Sequence, residues 1–241
     1  MTIRITKSYR TVLNETLCIL TELTPIAVKI EEILQFYEYI TGNTKEEAMV
    51  DTDMGVKHWH HPAETITFLT EDNEETSTIL IFTDGSKSEQ GVGAGIVIYK
   101  SGNLINSLKY RLNKRCTNNQ AEQLAIVRAL EFTENIKTED KTPAKYTDSR
   151  TTLHSLKNSN IHTYFIEEIR RKVAEKGEMK WKIQFCWVKA HVGIQGNEIA
   201  DTLAKEAATN EAIIECYKKV PKSVVLSELG GISVEKWQRE F

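Results

Sequence analysis

The chain has 241 residues, 40% hydrophobic and 27% charged side chains, and a formal net charge of −3. This is an ordinary globular composition, long enough for one substantial core with smaller attachments. It excludes a global basic field, so any polyanionic partner has to be held by a local patch.

The N-terminal MTIRITKSYRTVLNETLCIL is interrupted by charges and carries no signal-peptide core. Residues 4–42 read as two helices. Thr24-Pro25 breaks and restarts the chain, with Thr24 as N-cap and Pro25 at the first helical position. Ile26, Ile30, Ile33, Tyr37 and Ile40 then recur at helical spacing until Gly42 stops the run. This helical pair, residues 1–42, is amphipathic and needs a partner surface for its stripes. Residues 43–77 are polar, acidic and poorly periodic, and read as a linker. From Thr78 the run TILIFTD has the continuous apolarity of a central strand covered on both faces. GVGAGIVIYK and NLINSLKYRL are two further strands, separated by the turn residues Ser101-Gly102-Asn103. There follow a helix over 118–134, a strand at 145–149, helices across 150–176, a last strand in KWKIQFCWVKA and a helix at 197–208. Three consecutive strands and then alternating helices and strands predict a mixed α/β sheet over 78–208. The tail, 209–241, has weak helical patterns around Pro221 and near Trp237, and its end at Phe241, close behind such a stretch, points to a fragment of something longer.

Scattered Cys18, Cys116, Cys186 and Cys216, with no CxxC pair, argue against a disulfide framework or a zinc site. They fit a reducing, intracellular setting, cytoplasm or nucleus. No apolar run of about 18 residues is present, so no membrane partner is expected.

Four carboxylates stand at the starts or ends of segments that should be buried. Asp84 closes the first strand in register with Leu80 and Phe82, although Asp-Gly also closes strands simply as a turn. Glu122 opens its helix on the inward stripe of Ile126 and Ala129; dipole stabilisation explains its charge but not its aim. Asp148 ends a strand and can also N-cap the next helix. Asp201 lies mid-helix on the face of Ala204 and Ala208, where no capping role applies. Buried carboxylates need a positive partner, because desolvation costs several kcal/mol or more. No matching Lys or Arg set adjoins them in sequence, which leaves a divalent metal. Oxygen-only ligands favour magnesium or manganese over zinc.

FTDGS (82–86), TNNQAE (117–122), YTDS (146–149) and WVKAHVGIQGNEIAD (187–201) together resemble, in order, the four motifs of type 1 ribonuclease H. The resemblance implies a five-stranded mixed sheet, three antiparallel strands and then parallel ones, flanked by helices. It implies metal-dependent endonucleolytic hydrolysis of the RNA strand of RNA–DNA hybrids, with two Mg2+ ions, or Mn2+ as a substitute, held by Asp84, Glu122, Asp148 and Asp201. His191 takes the place of the family's loop histidine that assists proton transfer or product release. Gly85, Ser86, Asn118, Asn119, Ser149, Arg150 and Asn197 fall at positions that contact the hybrid. For Asn118 and Asn119, helix capping is the structural alternative. Arg150 stands where many relatives carry Gln, a departure that puts a minor-groove contact there in doubt while leaving a phosphate within reach. Arg170, Arg171 and Lys172 of IHTYFIEEIRRKVAEK are further candidates to touch a strand.

The flanks, YRTVLNETLCILTELTPIAVKIEE and KWQREF, are similar to segments bordering the ribonuclease H domain of LINE-type (non-LTR) retrotransposon polyproteins. That similarity implies a reverse transcriptase partner reached through residues 1–42. Two rival readings remain. One is a catalytically decayed hybrid-binding module, against which the intact acidic positions and His191 argue. The other is an exonuclease, integrase or transposase of the same fold, which lacks the AHVGIQGNEIAD pattern. His58-Trp59-His60-His61 lacks the further ligands of a zinc site. Trp181 and Trp187 read as core or rim, and the acidic run 71–76 as solvated linker.

Overall fold

The computed structural model describes residues 18, 21, 24–41, 52–53, 66–68, 77–139 and 141–240. Most of the first of the two expected N-terminal helices, apart from the helical Cys18 and Thr21, lies outside the described residues, as do most of the 43–77 segment, the His58–His61 run and the acidic 71–76 run. The chain forms two compact units, Asp53–Lys219 and a second made of Met1–Thr52 with Val220–Phe241. No helix among the described residues is long and apolar enough to cross a membrane.

In the second unit, α1 (Ile26–Thr41) starts after Thr24-Pro25, and the Pro25 carbonyl accepts its first backbone bond, from Lys29, at 3.1 Å. Its buried contact is Phe36, clustered with Val220, Val225 and Leu229 from the C-terminal segment. The isoleucine stripe faces outward, with Ile26 75%, Ile33 62% and Tyr37 60% exposed.

The larger unit is built on a mixed sheet. Its strands are β1 (Thr67–Phe68), β2 (Ile79–Lys87), β3 (Val92–Lys100), β4 (Asn103–Leu112), β5 (Ala144–Thr147), β6 (Gln184–Trp187) and β7 (Glu215–Tyr217), in the order β1-β6-β5-β2-β3-β4-β7. The pairs β2–β3 and β3–β4 are antiparallel, and β2–β5 and β5–β6 parallel, as the sequence predicts. The sheet has seven strands rather than five, because two- and three-residue strands add to its two edges. Such short pieces carry no periodicity to read. The last predicted strand shrinks to Gln184–Trp187, although Trp181 and Ile183 still enter the core.

Its helices are α2 (Asn118–Phe132), α3 (Arg150–Lys157), α4 (Tyr164–Glu178) and α5 (Gln195–Thr209). One sheet face, with Ile79, Ile81, Ile96 and Ile98, shares a cluster with Leu124, Ile126 and Leu130 of α2 and Ile166 and Ile169 of α4. The other face, with Phe82 and Val97, packs on Ala200, Ile199 and Leu203 of α5. α5 lies unusually close to β3. A Cβ at Gly93 would stand 2.2 Å from the Ala204 carbonyl oxygen, and one at Gly95 2.1 Å from that of Ala200. Alternate glycines on the strand thus meet alanines one helical turn apart. The last helix of the chain, α6 (Lys222–Glu240), belongs to the second unit.

Arg170, Arg171 and Lys172 of α4 all have partners within the fold. Arg170 is fully buried and donates to the carbonyls of Ser155, Leu156, Asn158 and Ile161 and to the Glu167 carboxylate. It ties off the C-terminal end of α3. Arg171 pairs with Glu168 and Glu175, and Lys172 with Glu131 at 3.0 Å.

Two substitutions test this packing. Gly95→Ala forces a methyl onto a helix carbonyl and is expected to cost about 2 kcal/mol or more, read as a lowered Tm; an unchanged Tm would show that α5 is free to retreat. Arg170→Met leaves Glu167 buried beside His162 alone, so urea denaturation should register a loss of about 3–5 kcal/mol.

Candidate active site

The parallel register of β2 and β5 ends at Thr83–Thr147, and the residue following each of these is a carboxylate, Asp84 and Asp148. Glu122 joins them from the first turns of α2. Thr117 caps that helix: its hydroxyl accepts from Gln120 N, and the Gln120 side chain accepts from Thr117 N at 3.0 Å. The Thr117–Gln120 pair fixes where the helix begins. Gly85 sets how near it comes, since a Cβ there would lie 2.6 Å from Glu122 N and 2.8 Å from its Cγ. As a result one oxygen from each of Asp84, Glu122 and Asp148 lies within 4.8 Å of the others.

Burial and repulsion are visible in the ionisation of all three. Asp84 is pushed up to about 7, first by burial and next by the charge of Asp148, with Asp201 and Glu122 adding; the Gly85 N–H, donating to its Oδ1 at 2.7 Å, opposes this. Glu122 is raised by burial and by Asp148, with Ser149 opposing. Asp148 is raised by burial and by Asp201, while the Asn197 side chain and His191 pull it back.

The fourth carboxylate stands apart. Asp201 is outside this three-oxygen cluster and accepts from Lys205 Nζ at 2.7 Å. Lys205 sits four residues on, one helical turn away, and pairs with Asp201; it supplies no matching cation for Asp84, Glu122 or Asp148. Asp201 nevertheless stays close enough to raise both Asp84 and Asp148.

A divalent cation fits the cluster. Glu122 Oε2 is buried with no hydrogen-bond partner among the described residues, and the donors are all carboxylate oxygens. A hard cation would satisfy the orphaned oxygen and relieve the repulsion together.

The other predicted residues divide by burial. Asn118 donates to Glu122 Oε1 at 2.9 Å and so braces a carboxylate, while Asn119 is exposed beside it. Neither caps α2. Asn197 is buried, at 3% exposure, and its side chain bonds Asp148. Ser149 is buried too, and it rather than Asp148 caps α3, accepting from Thr152 N at 3.2 Å. Gly85 and Ser86 remain partly exposed. His191 is exposed in the loop before α5, at a positive φ of 55°, two residues before Gly193 at 84°. Arg150 is exposed, with its guanidinium 3.9 Å from the Trp187 ring centre. Trp187, read from the sequence as core or rim, and Lys189, which sequence reasoning gave no role, border the same cavity as Glu122 and Asp148; both lie within the motif that carries Asp201.

The family model for RNase H matches residues 76–209. The chain belongs to the ribonuclease H family. The ribonuclease H of Psychromonas ingrahamii is 33% identical over 143 residues, which cover 55% of this chain and 91% of the bacterial protein. The Pol polyprotein of equine infectious anemia virus is 34% identical over 134 residues, 55% of this chain and 11% of the polyprotein. Among solved structures, RNase H1 of Halobacterium salinarum aligns with 54% of this chain and 96% of its own at a TM-score of 0.40 and 23% identity. As a ribonuclease H the protein is a hydrolase, and the matched segment holds all four predicted carboxylates and His191.

Burying Asp84 beside the other carboxylates of this ribonuclease H has a measurable cost. In the fold Asp84 keeps its proton up to about pH 7, whereas unfolded it ionises near 3.8. The folded state therefore holds the extra proton between those values, and stability falls as pH rises from about 4 to 7. Asp84→Asn removes the charge. In chelator at pH 8 it is expected to stabilise the protein by about 1–3 kcal/mol in urea denaturation, a difference that should vanish near pH 4.

Proposed function

We propose that the domain is a divalent-metal-dependent endoribonuclease that cuts the RNA strand of RNA–DNA hybrids within a retrotransposon reverse-transcription machinery. The observation that carries this reading is the group of three carboxylate oxygens within 4.8 Å, one of them on a Glu122 side chain whose other oxygen has no partner. Asp84, Glu122, Asp148 and Asp201 would hold two Mg2+ ions, with Mn2+ as a substitute. Bound there, the ions supply an activated water and neutralise charge on the phosphate and the departing 3′ oxygen.

The chain's own residues position the rest. Asn118 and Asn197 hold Glu122 and Asp148 in place from the protein side. Asp201 would join the site by releasing Lys205, a change that this partly exposed i, i+4 pair permits at little cost. His191, exposed on its loop, exchanges a proton with the departing oxygen or helps release product. The exposed Asn119 amide is suited to a sugar 2′-hydroxyl, the group that separates RNA from DNA. Gly85 and Ser86 border the same strand. Similarity to a Pol polyprotein supports a setting inside a longer polyprotein, in which residues 1–42 meet a reverse transcriptase domain.

The test is cleavage of an end-labelled RNA–DNA hybrid with and without Mg2+. Asp84→Asn should slow Mg2+-dependent cleavage roughly a thousandfold or more, because the ions supply several kcal/mol of transition-state stabilisation. Cleavage at the wild-type rate would sink the assignment. Tight hybrid binding by the wild type with no Mg2+-stimulated cutting would instead identify a decayed binding module.

A further inference from the structure

Beside the carboxylates lies an open cavity of about 660 Å3 whose walls include Asn119, Glu122, Asp148, Arg150, Trp187 and Lys189. Its two cations are placed oddly. Arg150 follows Asp148 by two residues and shares a cavity with two carboxylates, yet neither it nor Lys189 forms an ion pair among the described residues. Arg150 is instead laid on the Trp187 ring, 3.9 Å from its centre. One carbonyl fixes that stack: the Asp148 oxygen accepts both the Trp187 indole N–H, at 3.1 Å, and the Arg150 backbone N–H, at 2.9 Å. The platform is therefore tied to the backbone of a clustered carboxylate. Stacking occupies the face of the guanidinium and leaves its in-plane N–H fork for an anion.

We propose that Arg150, held on Trp187 and assisted by Lys189, is a phosphate seat that grips the substrate strand at a phosphodiester next to the one cleaved. The reading of the carboxylates as a nuclease centre underlies this inference. A guanidinium can also donate to uncharged acceptors in a nucleic-acid groove, but such atoms have no use for a second cation in the same cavity. Two unneutralised cations and a planar fork suit a phosphate. Arg150 is then a binding residue, and Trp187 a positioning residue acting through it.

The experiment uses the full chain and a fluorescent RNA–DNA hybrid. Dissociation constants are measured in chelator across a salt series, and KM and kcat in Mg2+. Arg150→Gln should raise KM roughly tenfold with kcat within about twofold, and reduce the slope of log Kd against log salt by about 0.7–0.9, the signature of one lost phosphate contact. Arg150→Lys should restore the slope and part of the affinity. Trp187→Leu should raise KM while the slope holds, since the charge remains and only its placement is lost. An Arg150→Gln slope equal to wild type overturns the proposal, whether affinity falls, which would signify an uncharged groove contact, or stays the same. If the wild type neither binds nor cuts the hybrid, the nuclease reading itself has failed. If the wild type cuts and the slope does not move, only the phosphate seat is lost.

Discussion

Asp84, Glu122 and Asp148 repel one another, and the rest of the larger unit is arranged so that they cannot escape. With oxygens within 4.8 Å of one another and an effective dielectric near 20, each ionised pair is unfavourable by roughly 3 kcal/mol or more. The raised pH at which Asp84 ionises records burial first and the charge of Asp148 second. Side chains on flexible backbone would turn away. Here two of them leave adjacent parallel strands at the same register, and the third stands on a helix whose start is fixed by the Thr117–Gln120 bonds. The electrostatic cost is therefore borne in folding, and a cation that enters finds its ligands already gathered.

The same economy of space sets the outer carboxylate. α5 reaches the sheet because Gly93 and Gly95 remove the side chains that would hold it off, and Ala200 and Ala204 add nothing bulky in return. That contact carries Asp201 to the edge of the cluster without burying it. Three ligands are fixed and largely enclosed, whereas the fourth is partly solvated and held by a lysine on its own helix. On the proposed reading, the arrangement would divide a rigid inner cation position from an outer one that exchanges partners. Bracing follows the same division. Asn118 and Asn197 support the inner carboxylates, whereas Asp201 relies on Lys205.

Most of this was legible in the sequence, for identifiable reasons. TILIFTD, GVGAGIVIYK and NNQAEQLAIVRALEF declared strand or helix through unbroken apolarity or the 3.6-residue period, and the four acidic motifs stood at their ends. The short edge strands at Thr67–Phe68 and Glu215–Tyr217 exist only because a neighbouring strand offers free backbone groups, which no local pattern encodes. Other features were written in the chain and passed over. T-x-x-Q at Thr117–Gln120 is a capping-box pattern that frees both asparagines for other work. Lys205 stands one turn beyond Asp201. Arg170 reads as a surface cation, yet the tertiary fold turns it inward onto four carbonyls, and only the three-dimensional path of the 155–161 segment makes that worthwhile. In α1 the isoleucine period was plain, but the helix buries Phe36 and leaves the stripe outside. Period identifies a face and says nothing of which neighbour covers it.

A chain of net charge −3 with carboxylates crowded at its centre looks ill suited to a polyanion. The difficulty dissolves on the length scale that matters. Salt screens exposed charges beyond about 8–10 Å, so a nucleic-acid strand at the site responds to the charges bordering the cavity and hardly at all to the sum over the molecule. Those charges are of two kinds, kept apart by geometry. The carboxylates are wholly or partly buried and gathered together, where a bound cation would reverse their sign. Arg150 and Lys189 are exposed and unneutralised, and Arg150 is kept from Asp148 by its stack on Trp187. Had the guanidinium closed onto the neighbouring carboxylate, the proposed functions of both would have been lost, the cation's toward a substrate phosphate and the carboxylate's toward a metal. By occupying the guanidinium's face, the indole prevents that mutual cancellation, and it takes its own orientation from the carbonyl of the very residue it protects.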